Sequence, residues 1–363
     1  MKLFYLMLIP ISTLSCKQYQ TEKSCFEDGK DNKVQYKEFS IDKPEDIIKA
    51  NPDHVKFTTN KNIESYEEDY NNDRNMDFLK DENAWKKRAE EYQLRFSDLI
   101  KNFGEQFNYK NIQHTNNVIY GIGENQFGYW FLEIKNNIPN AYYLGLSKFS
   151  YLNDQQPENF ISGNKFVAHG SLIRISESWG YPFGPPTEAV RDRLAFEINL
   201  DAVRKDTDHD RFNDLFEELI LLNPKSADTD SDGVPDFTDV NPLYKSESSK
   251  FADLYSQVID NDYQSFNFSK SNYFFTGYFS DCDYFQKITP KNVKVLIYPE
   301  KKQNMLKSDY KSGMFPVHLG RIKKDKNTNK FYINYGNGGG GGFIEAVFKN
   351  KKWTLKKIST HVV

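Results

Sequence analysis

Two stretches of alternating aspartates, set 22 residues apart, constrain this chain more than any other feature. Asp206, Asp208, Asp210, Asp214 and Glu217 occupy positions 1, 3, 5, 9 and 12 of a twelve-residue loop. Asp228, Asp230, Asp232, Asp236 and Asp239 occupy the same positions of a second. From Asp206 to Asp239 there are eleven acidic residues against Arg211 and Lys225, a net charge of −9 in a chain whose total is −3. Charges this dense repel one another unless a counter-ion lies among them. Most acidic runs are solvated and disordered. Strict alternation, repeated in register, argues against that here. It turns every second side chain toward one point, where a hard cation that takes six to eight oxygens fits. Calcium is therefore expected, with the position-7 carbonyls of Phe212 and Val234 completing each set. Magnesium is disfavoured by so many flexible oxygens. Gly233 stands at position 6 of the second loop, where a sharp turn favours positive φ. The first loop has Arg211 there, which predicts a strained turn beside a positive charge. The second ends in Asp239, a shorter acid than glutamate.

The segments Asp206-Thr-Asp-His-Asp-Arg-Phe-Asn-Asp214 and Asp228-Thr-Asp-Ser-Asp-Gly-Val-Pro-Asp236, with Asn223-Pro224 and Asn241-Pro242 after them, resemble the thrombospondin type 3 repeat and related bacterial calcium repeats. The resemblance implies a calcium-organised structural module and no reaction. A regulatory helix–loop–helix pair fits less well, because Leu194 to Leu200 alternates as a strand into the first loop and only Leu215 to Leu222 reads as helix.

The N-terminus reads as an export signal. Lys2 is followed by the short, mostly apolar run Leu3 to Leu14, too short to span a bilayer. Thr13-Leu14-Ser15-Cys16 resembles the lipobox of bacterial lipoproteins, with Thr13 where leucine is commonest. The resemblance implies acylation of Cys16 and a lipid-anchored protein of the bacterial cell envelope, periplasmic or on the cell surface. The other cysteines are Cys25 and Cys282. An oxidising compartment would let them pair, but their spacing gives no framework pattern, and two inert thiols are the simpler expectation.

Composition along the chain suggests an α+β protein in five parts. Residues 1–16 are the signal, and 17–75 a polar tether with part of it docking, Val34 to Ile41 as a strand and Pro44 to Ala50 as a helical turn. Residues 76–200 form a mostly β domain opened by one helix. Its face is Trp85, Ala89, Tyr92, Phe96, Leu99 and Phe103, at helical spacing. Strands are expected at 117–120, 129–134, 141–152, 171–176 and 194–200. Residues 201–244 are the calcium module. Residues 245–363 form a small α+β domain: a helix over 248–260, then an antiparallel meander with strands at 273–279, 293–298, 317–322, 330–335, 342–348 and 353–358.

Weaker signals add little. Gly121-Ile-Gly123 lacks the third glycine and following helix of a dinucleotide loop. Gly338 to Gly342 reads as a loop or glycine-lined strand edge. No His-Glu-x-x-His or Gly-x-Ser-x-Gly pattern appears, so no catalytic residue is assigned. Cys282 with His318 is a nucleophile–base pair only by conjecture. Trp130, Trp179, Tyr181 and Phe183 would suit a carbohydrate platform, though core packing is the commoner use. A pI near 6.1 with dispersed basic residues does not support nucleic-acid binding. The expected role is structural or ligand-binding, toward a glycan or protein. A calcium-stabilised extracytoplasmic hydrolase is the alternative.

Overall fold

The computed structural model describes residues 23–27, 42–74, 81–175, 187–264, 271–303, 317–337 and 340–362. It is a mixed α+β fold dominated by strands, with four sheets among the described residues. Cys16, the expected strand at Val34 to Ile41, and Trp179, Tyr181 and Phe183 lie outside them.

Four strands, β2 (Asn108–His114), β3 (Val118–Asn125), β4 (Gly128–Lys135) and β5 (Ile138–Tyr143), make an antiparallel meander. Seven of the eight residues of β4 are buried, so both of its faces are covered. Tyr129 and Phe131 point into one core and Trp130, Leu132 and Ile134 into another. A continuous apolar run is what a strand between two layers requires.

The first of these cores is closed by a second sheet, in the order β1 (Val55–Thr59), β9 (Thr187–Asn199), β8 (Lys165–Ile175), β6 (Ser150–Leu152), with β7 (Ile161–Ser162) added to β8. β1 falls within the segment expected as a tether, yet it pairs with β9 from Val55↔Ile198 to Thr59↔Leu194. Helix α1 (Pro44–Lys49), at the expected helical turn, buries Ile47 in the same core. Helix α2 (Tyr66–Arg74) follows β1. The strand expected over 141–152 is two strands, interrupted by Gly145 at φ +64°.

The helix expected over 81–103 breaks at Phe96 into α3 (Glu82–Arg95) and α4 (Ser97–Phe103). Only the second half of the expected face is covered. Phe96, Leu99 and Phe103 are buried, whereas Trp85 is half exposed. Gly121 and Gly123 lie inside β3, where a Cβ would meet Leu99 and Phe107 side chains at 2.7 and 3.0 Å. They admit the packing of α4 on the sheet, and no dinucleotide loop is formed.

After the acidic segment, helix α7 (Lys250–Asp262) has Ser249 as its N-cap, accepting from Ala252 N, and buries Leu254, Tyr255, Val258 and Ile259. β10 (Phe275–Phe279) and β11 (Lys294–Tyr298) pair in parallel, not antiparallel as expected. The short helix α8 (Asp283–Gln286) lies in the crossover between them. A true antiparallel meander closes the chain: β12 (His318–Lys324), β13 (Lys330–Asn337), β14 (Gly340–Lys349) and β15 (Lys352–Val362). A Cβ on Gly342 would lie 2.0 Å from the Ile358 carbonyl oxygen, so the glycine run permits close strand approach at a bulge.

Cys25 and Cys282 form a disulfide, which corrects the expectation of two thiols. Phe26 bridges Ile322 in parallel and Arg321 donates to the Lys23 carbonyl, so this early segment lies along β12. The physical reason is burial. Cys25, Cys282 and Phe26 all pack on the C-terminal core, and that brings together residues 257 positions apart.

Candidate metal centre

The acidic segment is part of a core. Phe212, Phe216, Ile220, Leu222 and Phe237 pack with Trp130 and Tyr143 of the first meander and with Tyr273, Phe275, Leu296 and Tyr298. Apolar residues placed between the acids thus anchor both loops while the acids face each other.

The two loops share most of their hydrogen bonds, though His209 N donates to Asp206 in the first and Asp232 N to Asp228 in the second. Asp214 N donates to Lys205 O at 2.8 Å, and Asp236 N to Ala227 O at 2.9 Å. Asp206 accepts from Arg211 N and Asp228 from Gly233 N. Asp208 accepts from Asp210 N and Asp230 from Asp232 N. Asp210 accepts from Phe212 N and Asp232 from Val234 N. Backbone angles match as well. His209 and Ser231, at position 4, have φ +64° and +61°, and Arg211 and Gly233, at position 6, have +97° and +98°. The strain expected at Arg211 is present, and its guanidinium stacks 4.3 Å from the Phe237 ring centroid.

Asp206, Asp208 and Asp210 bring one carboxylate oxygen each within 4.8 Å of the others, and Asp228, Asp230 and Asp232 do the same. Each triad is able to hold a metal ion. The position-12 acids lie outside these triads but feel their charge, Glu217 from Asp208 and Asp210 and Asp239 from Asp232. Glu217 is fully buried on helix α6 (Asp214–Ile220), and Asp239 is nearly so. Both Glu217 oxygens, and Oδ2 of Asp208, Asp230 and Asp239, are buried without a hydrogen-bond partner. An orphaned buried carboxylate oxygen costs the full desolvation of the group. Five such atoms gathered at two repeated loops fit a cation and fit little else.

Asp214 and Asp236, expected as position-9 ligands, have a different engagement. Asp214 accepts from Thr207 N on one oxygen and from the Thr207 hydroxyl and Lys205 Nζ on the other. Asp236 accepts in the same way from Thr229 N and the Thr229 hydroxyl. They brace the loops from behind. The position-2 threonines that hold them stand in a repeated Asp-Thr-Asp, but a hydroxyl in a loop carries no metal signal in sequence. Phe212, one of the position-7 residues, is buried, while Val234 is exposed.

Electrostatics follow the burial. Glu217 is pushed up to about 9, first by burial and then by Asp208, Asp210, Asp214 and Asp236. Burial likewise raises Asp210 to about 7 and Asp230 and Asp239 to about 6, with neighbouring aspartates adding to it. For Asp214 burial also raises, but the bonds from Lys205 and Thr207 outweigh it, and the group lies below the usual range.

One residue was missed entirely. Lys294, on β11, is buried, donates to the Phe237 carbonyl, and lies within 6 Å of the Phe212, Phe237 and Phe275 ring centroids. Burial pushes its ammonium down to about 7 against the pull of Asp239, Asp210 and Asp236. The Phe237 backbone N–H also donates to Asp210 Oδ2, so one residue joins the first loop to this lysine. The only sequence signal was a lone charge in the strand Val293-Lys-Val-Leu-Ile297.

Other expected functional groups fall away. Cys282 is in the disulfide and offers no nucleophile to His318. Trp130 is fully buried, so it belongs to the core and to no surface platform. Comparison with known proteins adds no relative: no family model, curated protein or solved structure matches this chain.

Proposed function

We propose that this chain is a calcium-binding protein of the bacterial cell envelope, lipid-anchored at Cys16, whose two loops fix the geometry of the folded body for a structural or ligand-binding role. The observation that carries the calcium reading is the repeated loop with buried, unpartnered carboxylate oxygens. Asp206, Asp208, Asp210 and Glu217, with the Phe212 carbonyl, would hold one ion. Asp228, Asp230, Asp232 and Asp239, with the Val234 carbonyl, would hold the other. Oxygen donors alone, flexible and many, favour calcium over magnesium and over softer metals. When bound, calcium supplies charge neutralisation at carboxylates that otherwise repel one another. The chain supplies the rest: Thr207 and Thr229 brace the loops, and the phenylalanines tie them to both flanking regions.

Calorimetric titration of chelator-stripped protein, with melting followed in parallel, tests this. Two binding events are expected, together with a rise in melting temperature. Ligand at 100 times its Kd adds about 2.7 kcal/mol to a folded state that alone binds it. No heat and an unchanged melting temperature would sink the calcium reading.

Anchoring is tested separately. No helix among the described residues is long and apolar enough to cross a membrane. Cys16→Ala should therefore leave the chain exported and extractable from membranes by a high-salt wash without detergent. Retention through that wash would remove Cys16 as the anchor.

A further inference from the structure

The C-terminal meander carries the opposite charge to the calcium loops. Residues 317–362 contain nine lysines and Arg321 against Asp325 and Glu345, a net charge of +8. The charge is gathered in space. In this meander the β12–β13 turn and the β14–β15 turn lie at the same end of the sheet. Lys323, Lys324, Lys326, Lys349, Lys351 and Lys352 stand in or beside those two turns, and all six are exposed. None of them forms an ion pair with a described residue, whereas Lys330, Lys357 and Arg321 pair with Glu345, Asp262 and Glu300. Lys349 is directly opposite Lys352 across the hairpin. Like charges so placed destabilise a strand pair. Beside them a cavity of about 530 Å³ opens between the start of α7 and the β14–β15 turn, lined by Lys250, Lys351, Lys352, Ser248, Ser249 and Asp253 among others.

The same sheet receives the N-terminus. Lys23 and Phe26 lie along β12, and Cys25 is covalently joined to this region. Only residues 17–22 separate Lys23 from Cys16. Even fully extended, seven steps of about 3.3–3.6 Å reach about 25 Å. The Phe26–Ile322 bridge is parallel, so the chain leaves the sheet at the His318 end of β12, opposite the two turns. That reach of about 25 Å still exceeds the length of the seven-residue strand at about 3.3 Å per residue, so an acyl group at Cys16 would hold the whole basic sheet near the bilayer.

We propose that the twin-turn end of the C-terminal sheet docks on anionic phospholipid headgroups of the membrane that carries the anchor. The geometry rests on lipid attachment at Cys16, and the charge argument stands without it. Acyl chains fix the distance to the bilayer but not the orientation of the body, and a basic patch adds electrostatic attraction to anionic lipids. Each lysine near an anionic surface contributes about fivefold in partitioning, the equivalent of about 1 kcal/mol.

The test uses the full exported chain bearing Cys16→Ala, so that no acyl group contributes, with vesicles of phosphatidylcholine with or without phosphatidylglycerol. Sedimentation should show binding to the anionic vesicles alone, reversed at about 1 M salt, where the Debye length is about 3 Å. The triple variant Lys349→Gln, Lys351→Gln, Lys352→Gln should lose about a hundredfold in partitioning. A control triple at exposed lysines elsewhere, Lys61, Lys101 and Lys135 to Gln, should bind like the parent. Equal binding to neutral vesicles, no binding to anionic ones, or an unaffected triple variant with an unchanged melting curve would each overturn the proposal. Capture by a soluble acidic polysaccharide with none by vesicles would overturn it too. The mass of the wild-type mature N-terminus reads acylation independently, so a failed anchor and a failed docking surface give different results.

Discussion

Glu217 shows at one residue what the metal centre demands. It lies fully buried with neither oxygen hydrogen-bonded, and burial, followed by four aspartates, raises it from an ordinary 4.5 to about 9. A raised carboxylate means that the metal-free folded chain holds a proton the unfolded chain has released. Stability of the metal-free protein should therefore fall as pH rises from about 5 toward about 9, by about 2–4 kcal/mol between pH 5 and 8 if Glu217 dominates. Asp210, Asp230 and Asp239 act in the same direction at lower pH. Glu217→Gln should flatten this dependence and weaken one calcium event. Urea unfolding of chelator-treated protein across that pH range measures both the slope and its loss. A wild-type slope of opposite sign would show that Glu217 is ionised and paired in the folded state. At this scale the acids were legible because ligand geometry demands a fixed local spacing. Thr207, Thr229 and Lys294 were not, because their roles depend on neighbours that spacing does not name.

The two loops share one backbone but differ at position 6. Gly233 takes φ +98° freely, whereas Arg211 holds +97°, with its guanidinium over the Phe237 ring and donating to the Pro139 carbonyl. A non-glycine residue in this region costs on the order of 1–3 kcal/mol. The second loop is therefore expected to bind more tightly. Asp230→Ala should abolish the tighter calorimetric event and Asp208→Ala the weaker, with reversal of that order excluding strain at Arg211 as the cause. Elements were otherwise readable where the pattern is local, as in α7 and the final meander. Pairing was not. A strand buried on both faces reads as an unbroken buried run whichever way its partner points, as antiparallel β4 also does, so β10–β11 was misassigned. β1 was hidden in a polar stretch because its partner, β9, lies far along the chain. The helix break at Phe96 went unseen because the apolar spacing runs through it unchanged, although only its second half has a sheet to cover it.

Across the whole molecule, β11 joins what composition had divided. Lys294, Leu296 and Tyr298 face the core shared with the acidic loops, and Val295 and Ile297 face the C-terminal core. Loss of calcium should therefore loosen more than the loops. The disulfide works at the same scale. Joining residues 257 apart removes much denatured-state freedom, and Cys25→Ser with Cys282→Ser should cost about 2–5 kcal/mol in calcium-saturated urea unfolding. A cost near zero would mean that packing alone holds Cys25 against the C-terminal core. The bond has a further consequence when the backbone is cut. A protease that cuts any single peptide bond between Cys25 and Cys282 leaves two fragments that remain one covalent molecule. Under oxidising conditions a chain nicked there would stay in one piece, and only reduction or a second cut would shed part of it.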